Sequence, residues 1–168
     1  MDQTHLHLIF SHLPIFASIL GSLVLAHALW TKSNQTKVAA YYLLIISSIG
    51  AGISYFTGEA AEETVEDLQG VSESIIEQHE DFALYVLVGL AIVGVSSLIG
   101  LFVTVKKHAL ARAIARFTLV LSLISFGFVA RTGYLGGQIR HSEVRSGANG
   151  PAENPDENNS RTTERDKD

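Results

Sequence analysis

The sequence predicts an all-α protein built as a bundle of four transmembrane helices, and three observations support this fold class. Four stretches, residues 8–30, 38–58, 82–105 and 109–135, each reach the roughly 20 mainly apolar residues that a helix needs to cross a bilayer. The composition is apolar, with 47% hydrophobic and 17% charged residues and a mean hydropathy of +0.26. The net charge of -5 arises from residues at the edges of these stretches. The core must therefore be the bundle itself.

The chain of 168 residues leaves room for one helical domain and a polar tail. We predict an integral membrane domain over residues 1–141. Residues 142–168 lack apolar periodicity and are rich in turn-forming and charged residues, so they are expected to form a disordered tail. No segment of the chain suggests a second folded domain.

The first stretch, residues 8–30, is predicted to be retained rather than cleaved as a signal peptide. No Lys or Arg precedes it, and it is longer than the usual hydrophobic core of a signal. The short loop after it carries Lys32 and Lys37, and the loop between the third and fourth stretches is also basic. The positive-inside rule makes both loops cytoplasmic, which places both termini outside the cytoplasm, in a bacterial inner membrane.

The connection between the second and third stretches predicts an acidic hairpin that projects beyond the membrane. Residues 59–68 are typical of a helix, Gly70 suits a helix stop, and Ser74 with Glu77 resembles a capping box. Helical spacing places its acidic side chains in two rows: Glu59, Glu62 and Glu66, then Glu73, Glu77 and Glu80. Facing rows could bind hard divalent cations, whereas outward-facing rows would only be solvated.

Histidines near the ends of three helices suggest a cofactor site at one end of the bundle. His12 lies about one turn inside the first helix, His79 just before the third, and His141 just beyond the fourth. Imidazoles from two helices commonly hold a b-type haem, which makes His12 with His79 or His141 the candidate axial ligands. Arg131 could pair with a haem propionate or with a glutamate, or extend to the headgroups, and Tyr134 can donate a hydrogen bond beside it.

A divalent metal is the alternative cofactor, because histidine and carboxylate side chains at one end of a bundle are also metal ligands. The candidate metal ligands are His7, His12, Glu59, Glu62, Glu63, Glu77, His79 and Glu80. A third possibility is that these histidines are structural and lie at the membrane interface without a ligand.

Two short motifs resemble a bacterial family of four-helix membrane proteins, the domain-of-unknown-function 2231 family. The opening of the first helix is similar to the family's His-x4-His-x-Pro-Ile pattern: His7-Leu-Ile-Phe-Ser-His12-Leu-Pro14-Ile15. The exit of the fourth is similar to Gly-x-x-Gly-Gly-x-aliphatic-x-His: Gly133-Tyr-Leu-Gly136-Gly137-Gln-Ile-Arg-His141. Thr57-Gly58 matches the end of the second helix.

The resemblance covers roughly residues 3–145 and implies a four-helix membrane domain. The family is uncharacterised as a class and sometimes lies beside or fused to cytochrome-like modules, which implies a haem or redox role by analogy. The residues that carry over are His7, His12 and His141. Leu8 stands where a proline often follows the first histidine, and the acidic segment 59–80 is unusually long for the family.

Several function classes are excluded or unsupported by the sequence. The chain has no cysteine, which excludes thiolate metal sites, thiol catalysis and covalent attachment of haem through cysteine. It shows no phosphate-binding loop, no nucleophile elbow and no nucleic-acid patch. We therefore expect a haem-binding or redox-associated membrane subunit with a cytochrome-type partner or a larger complex. The alternatives are an ion-handling protein and a non-catalytic scaffold.

Overall fold

The computed structural model describes residues 3–66 and 73–140, with side chains over residues 5–58 and 74–139. The described chain forms five α-helices. They are α1 (Gln3–Phe10), α2 (His12–Trp30), α3 (Asn34–Glu66), α4 (Glu73–Val105) and α5 (Ala111–Arg140). Four helical spans are long and apolar enough to cross a membrane: His5–Trp30, Asn34–Gly58, Ser74–Val105 and Ala111–Ile139. The predicted all-α bundle of four such helices is thus confirmed.

Helices α1 and α2 together form the first span and are separated only at Ser11. The backbone of Ser11 stays in the right-handed helical region, and its N–H still donates to the carbonyl of His7 at 2.8 Å. Pro14 lies in the first turn of α2 and has no N–H to offer the carbonyl four residues earlier, that of Phe10. The missing hydrogen bond explains why the first predicted helix is interrupted without being redirected.

Helices α3 and α4 are each 33 residues long. At 1.5 Å per residue each would measure roughly 50 Å, compared with a hydrocarbon thickness of roughly 30 Å. The predicted turn of the acidic hairpin lies at residues 67–72, outside the described residues, as do residues 141–168, which include the whole of the predicted tail.

Helices α2, α3, α4 and α5 pack against their neighbours in chain order, and α2 also packs against α5, which closes the bundle. The apolar core is formed by fully buried side chains from several helices. Its largest members are Leu25, Tyr41, Leu44, Leu90, Val93, Val129 and Leu135. Burial of each such side chain contributes on the order of 2 kcal/mol in water, although among lipid-spanning helices tight packing replaces most of that driving force.

Small and hydroxyl side chains fill the contacts between helices. A Cβ on Gly21 would lie 2.8 Å from Leu44 Cδ2, and a Cβ on Gly100 would lie 2.5 Å from Tyr41 Cζ, so a larger residue at either position would force the facing side chain to move. The Ser22 hydroxyl donates to Ser122 Oγ at 2.8 Å, and the Ser96 and Thr118 hydroxyls bond at 2.6 Å. Small residues at these contacts therefore let the helices pack closely.

The outward face of the bundle is apolar over most of its height. Exposed large side chains include Phe16, Leu23, Ile49, Val95, Phe102, Phe117 and Ile124. An open groove of about 470 Å³, lined by residues such as Ile92, Val95 and Phe117, runs between α4 and α5. An exposed apolar surface of this extent fits contact with the acyl chains of a bilayer.

The two short turns of the bundle, at residues 31–33 and 106–110, lie at one end, which we call the loop end. Lys32 and Lys107 each adopt a left-handed backbone, with φ of 56° and 53°. Ser33 N–H donates to Ala28 O at 3.1 Å and His108 N–H to Val103 O at 2.9 Å. Both turns are therefore Schellman caps, with lysine in the position that usually holds glycine.

Candidate functional site

The opposite end of the bundle, which we call the histidine end, contains the start of α1, the end of α3, the start of α4 and the end of α5. This chain direction follows from alternating up and down helices joined by the turns of the loop end. Most of the residues that the sequence singles out as candidate ligands occur in these four segments. The structure separates them into residues that meet and residues that do not.

His7 of α1 reaches across to α3. Its Nδ1–H donates to the backbone carbonyl of Ser54 at 2.9 Å, and the side chain is half-buried. The ring lies against Gly58, where a Cβ would be 3.6 Å from His7 Cε1. Because a carbonyl only accepts hydrogen bonds, this contact places the proton on Nδ1 and leaves Nε2 with a free lone pair in the neutral ring.

His79 of α4 reaches across to α5 in the same manner. Its Nδ1–H donates to the carbonyl of Thr132 at 3.0 Å, and this side chain is also half-buried. The ring lies against Gly136, where a Cβ would be 3.2 Å from His79 Cε1. Nε2 of His79 is again the nitrogen that remains available.

The two histidine contacts repeat one local design. In each, an imidazole binds the carbonyl of a Ser or Thr and packs on the glycine four residues later, Ser54 with Gly58 and Thr132 with Gly136. In a helix, the N–H of this glycine points to the same Ser or Thr carbonyl, so the glycine lies beside it. Because glycine has no Cβ, the imidazole ring has room to reach that carbonyl. His7 and His79 are also close enough to interact electrostatically.

His12, the first-choice haem ligand of the sequence prediction, points away from this pair. It is exposed, its Nδ1–H donates to Leu8 O of the preceding turn at 3.0 Å, and its ring stacks on Phe16 at 6.4 Å between centroids. Ser11 Oγ lies 3.4 Å from the same nitrogen. These contacts all lie within the first span, so His7, rather than His12, is the ligand candidate of this span that contacts another helix.

Arg131 and Tyr134 lie next to each other on α5, and both are exposed. The Arg131 guanidinium lies 5.6 Å from the centre of the Tyr134 ring and 5.7 Å from that of Phe82 on α4. Two aromatic faces thus hold the cation at the histidine end by cation–π attraction. The guanidinium N–H groups keep capacity for an anionic partner.

Among the acidic candidates, Glu80 is exposed and interacts electrostatically with His79, and Glu77 is exposed on the same helix. The backbone of α3 includes Glu59, Glu62 and Glu63, but their side chains lie outside the described residues, as does His141. Within the described side chains, no group of three or more His, Asp or Glu is placed to hold one metal ion.

Sequence reasoning did not identify the backbone carbonyls of Ser54 and Thr132 as the partners of His7 and His79. A signal is present in the chain: each helix exit carries a Ser or Thr followed four residues later by glycine, Ser54 to Gly58 and Thr132 to Gly136.

Comparison with known proteins adds no family or fold assignment. No protein-family description, no curated protein and no solved structure matches this chain. The resemblance of its short motifs to the domain-of-unknown-function 2231 family therefore stays an expectation.

Proposed function

We propose that this protein is a membrane haem-binding subunit in which His7 and His79 are the axial ligands of one b-type haem. The observation that carries the proposal is the pair of Nδ1–H hydrogen bonds, to Ser54 O at 2.9 Å and to Thr132 O at 3.0 Å. A backbone carbonyl bound to Nδ1 is the usual way in which a ligating histidine is oriented with Nε2 toward the metal.

Haem fits this donor set better than a bare metal ion does. Haem iron needs only two axial ligands from the protein, because the porphyrin supplies the other four. A structural zinc site needs four donors, and the described side chains contain no group of three or more His, Asp or Glu that could hold one ion. When bound, the haem would supply one-electron chemistry, while the chain would hold and orient it.

Arg131 is the residue we propose for the haem propionates. It lies on α5 one residue before Thr132, whose carbonyl binds His79, and the faces of Phe82 and Tyr134 hold its guanidinium in place. A guanidinium binds a carboxylate with two parallel hydrogen bonds, and Tyr134 could add a third from its hydroxyl.

A divalent metal site is the second candidate, and the proximity of Glu80 to His79 favours it. In this alternative His79 and Glu80 would bind the ion, and carboxylates from the exit of α3, whose side chains lie outside the described residues, would complete its shell. The acidic residues would then form a hairpin of α3 and α4 beyond the membrane, facing the histidines.

For cellular setting we propose a bacterial inner membrane with the loop end in the cytoplasm and both termini outside it. Six of the chain's twelve Lys and Arg residues lie in or beside the two turns of the loop end: Lys32, Lys37, Lys106, Lys107, Arg112 and Arg116. The histidine end would then meet a cytochrome-type partner or a larger membrane complex on the outer side.

An absorption spectrum of detergent-purified protein, oxidised and then reduced with dithionite, tests the haem proposal. Protein made with sufficient haem should show a reduced α band at one haem per chain. His7→Ala and His79→Ala should each abolish the low-spin spectrum, and His12→Ala should leave it unchanged because that ring faces away from the pair.

The variants also separate the alternatives. Loss of haem in His12→Ala with retention in His7→Ala would contradict the ligand pair. A wild-type protein that contains no haem but one divalent metal by elemental analysis, lost in His79→Ala and Glu80→Gln, would favour the metal site. A protein with neither would leave the scaffold interpretation.

A further inference from the structure

Aromatic side chains gather on the outer face of α4 and α5 near the histidine end. The rings of Tyr85 and Phe128 lie 5.9 Å apart between centroids at an angle of 37°. Phe82 lies 6.1 Å from Tyr85, and the Arg131 guanidinium lies 5.7 Å from the centre of the Phe82 ring. Tyr85 is 55% exposed, so much of its ring is open to a ligand from the membrane. We call these four residues and Tyr134 the aromatic patch.

The aromatic patch and the apolar groove between α4 and α5 lie on one face of the bundle. Four close approaches fix the antiparallel register of the two helices: Phe82 with Arg131, Tyr85 with Phe128, Gly89 with Ser125, and Ser96 with Thr118. On α4, Tyr85, Ile92 and Ile99 follow one another at intervals of two helical turns, which places them in one row. Both isoleucines are exposed and line the groove. One ligand could therefore contact the patch and the groove together.

The aromatic patch lies at the boundary of the bilayer. Arg112 and Arg131 are both exposed on α5, and at 1.5 Å per residue they are roughly 28 Å apart along the helix. This distance is close to the hydrocarbon thickness of roughly 30 Å. With Arg112 at one boundary, Arg131 lies at the other, and the Tyr85–Phe128 pair lies one turn inside it.

The groove extends deeper than an acyl chain of the outer leaflet. Its lining begins near Ile92 and ends near Ile99, roughly 10 and 21 Å along α4 from Tyr85. One leaflet contributes only about 15 Å, half of the hydrocarbon thickness. A ligand with its head at the patch and its tail along the groove must therefore be longer than a phospholipid chain. A long isoprenoid tail meets this requirement.

The patch offers an aromatic surface and hydrogen-bond donors to the head of such a ligand. A guanidinium has five N–H donors, and the hydroxyl of Tyr134, which is 53% exposed, can also donate. The ring pair below Arg131 offers a stacking surface for a planar ring. An anionic phospholipid would use the guanidinium but neither the ring pair nor the deeper groove.

From this geometry we propose that the α4–α5 face binds an isoprenoid quinone. The quinone ring would lie against Tyr85 and Phe128, one carbonyl oxygen would accept from Arg131 or Tyr134, and the tail would occupy the groove. Because a quinone is neutral and the guanidinium has several donors, Arg131 can also serve a haem propionate. Quinone binding does not require haem, so the two proposals can fail separately.

Equilibrium binding to the full-length protein in detergent, with quinone counted in its lipid extract, tests the proposal. Two probes separate head from tail: ubiquinone with a single isoprenoid unit and ubiquinone with its full-length tail. Tyr85→Leu removes one ring of the patch, and Ala91→Trp fills the upper groove. Tyr55→Leu is the matched control, because Tyr55 is an exposed tyrosine of α3 at the same end of the bundle, where its ring contacts Phe56.

We expect Tyr85→Leu to weaken binding of both probes by up to about tenfold, the value of one aromatic stacking contact, and Tyr55→Leu to change it by less than about twofold. Ala91→Trp should weaken binding of the full-length probe alone, because a single isoprenoid unit ends short of the groove. Equal losses in Tyr85→Leu and Tyr55→Leu, or equal effects of Ala91→Trp on the two probes, would overturn the proposal. No response to either ubiquinone would overturn it as well, and a response to phosphatidylglycerol in that case would assign the patch to an anionic lipid.

Discussion

Gly136 lies beneath the ring of His79 and determines whether that ring can reach the carbonyl of Thr132. A Cβ at this position would lie 3.2 Å from His79 Cε1 and 3.5 Å from Nδ1. We expect Gly136→Ala to push the ring aside by a few tenths of an ångström and to weaken its hydrogen bond. Cofactor affinity should then fall by roughly tenfold, because a mispositioned ligand commonly costs one to two orders of magnitude.

Gly137 provides the matched control, since a Cβ there would have nothing within 4 Å. Gly137→Ala should leave the cofactor spectrum unchanged and raise the melting temperature slightly, because alanine favours a helix over glycine by up to about 1 kcal/mol. Titration of haem into both apo-proteins measures the difference. Equal affinities for the two variants would show that the contact of Gly136 with His79 has no role in ligand placement.

The residue scale also shows where sequence-based prediction of the site stops. That histidines from separate helices lie at one end of the bundle could be predicted from their positions near the ends of apolar spans. Which histidine of the first helix faces inward could not, because His7 and His12 are five residues apart and periodicity does not give the rotation of a helix about its axis. The structure turns His7 toward Ser54 of α3 and leaves His12 against Phe16.

At the scale of elements, the two Schellman caps of the loop end carry an unusual residue. Lys107 has a φ of 53°, a conformation that costs a non-glycine residue about 1–2 kcal/mol. Lys107→Gly should therefore raise the free energy of unfolding by about 0.5–1 kcal/mol, after the greater chain entropy of glycine is subtracted. Lys106→Gly, at the preceding position outside the left-handed region, should lower it instead.

Reversible unfolding of the two variants in mixed micelles would measure these opposite signs. A stabilisation by both substitutions would indicate that charge repulsion among the loop lysines, rather than backbone strain, dominates this turn. A destabilisation by both would show that the lysine side chains contribute more than their backbone conformation costs.

The contact between α2 and α5 rests partly on one buried hydrogen bond, from the Ser22 hydroxyl to Ser122 Oγ at 2.8 Å. A double-mutant cycle with Ser22→Ala and Ser122→Ala should give a coupling energy of roughly 0.6 kcal/mol, the average for hydrogen bonds between membrane helices. The single Ser22 hydroxyl proton can instead go to Ser18 O, which lies 2.7 Å away, and Ser122 donates to Leu119 O, so the net cost of losing the partner is limited. A coupling of zero would show that close packing alone holds these helices together.

Apolar run length identified all four spans but not the extensions of α3 to Glu66 and of α4 from Glu73. Those extensions were predicted by the polar helical pattern of residues 59–68 and by the capping-box pattern of Ser74 and Glu77. The interruption at Ser11 also follows from Pro14, which can be identified in the sequence. The sequence alone does not tell whether this proline bends the helix or only removes one hydrogen bond.

For the whole molecule, pairing of neighbouring helices in chain order follows from the short turns, whereas closure of the bundle by α2 and α5 depends on how side chains fit. Ser22 meets Ser122 across 100 residues of sequence, and nothing in the local pattern of either helix specifies that pairing. The charge asymmetry between the two ends, by contrast, can be predicted directly from the sequence. The basic residues of the two short turns lie at the loop end, and the acidic residues lie beyond the helix termini of the histidine end.

This asymmetry makes the orientation of the whole molecule testable. Because the sequence contains no cysteine, a thiol reagent would label this protein at the introduced cysteine alone. Single cysteines at Gln35 or Ala109 would mark the loop end, and one at Gln78 would mark the histidine end; all three side chains are exposed. With the basic turns held in the cytoplasm, a membrane-impermeant maleimide should label intact cells at position 78 and should label positions 35 and 109 only after the membrane is opened. Labelling of 35 and 109 in intact cells, with protection of 78, would invert the orientation and place the histidine pair in the cytoplasm. The redox partner of a bound haem would then have to be sought there, because an exposed histidine end exchanges electrons with proteins on its own side of the membrane.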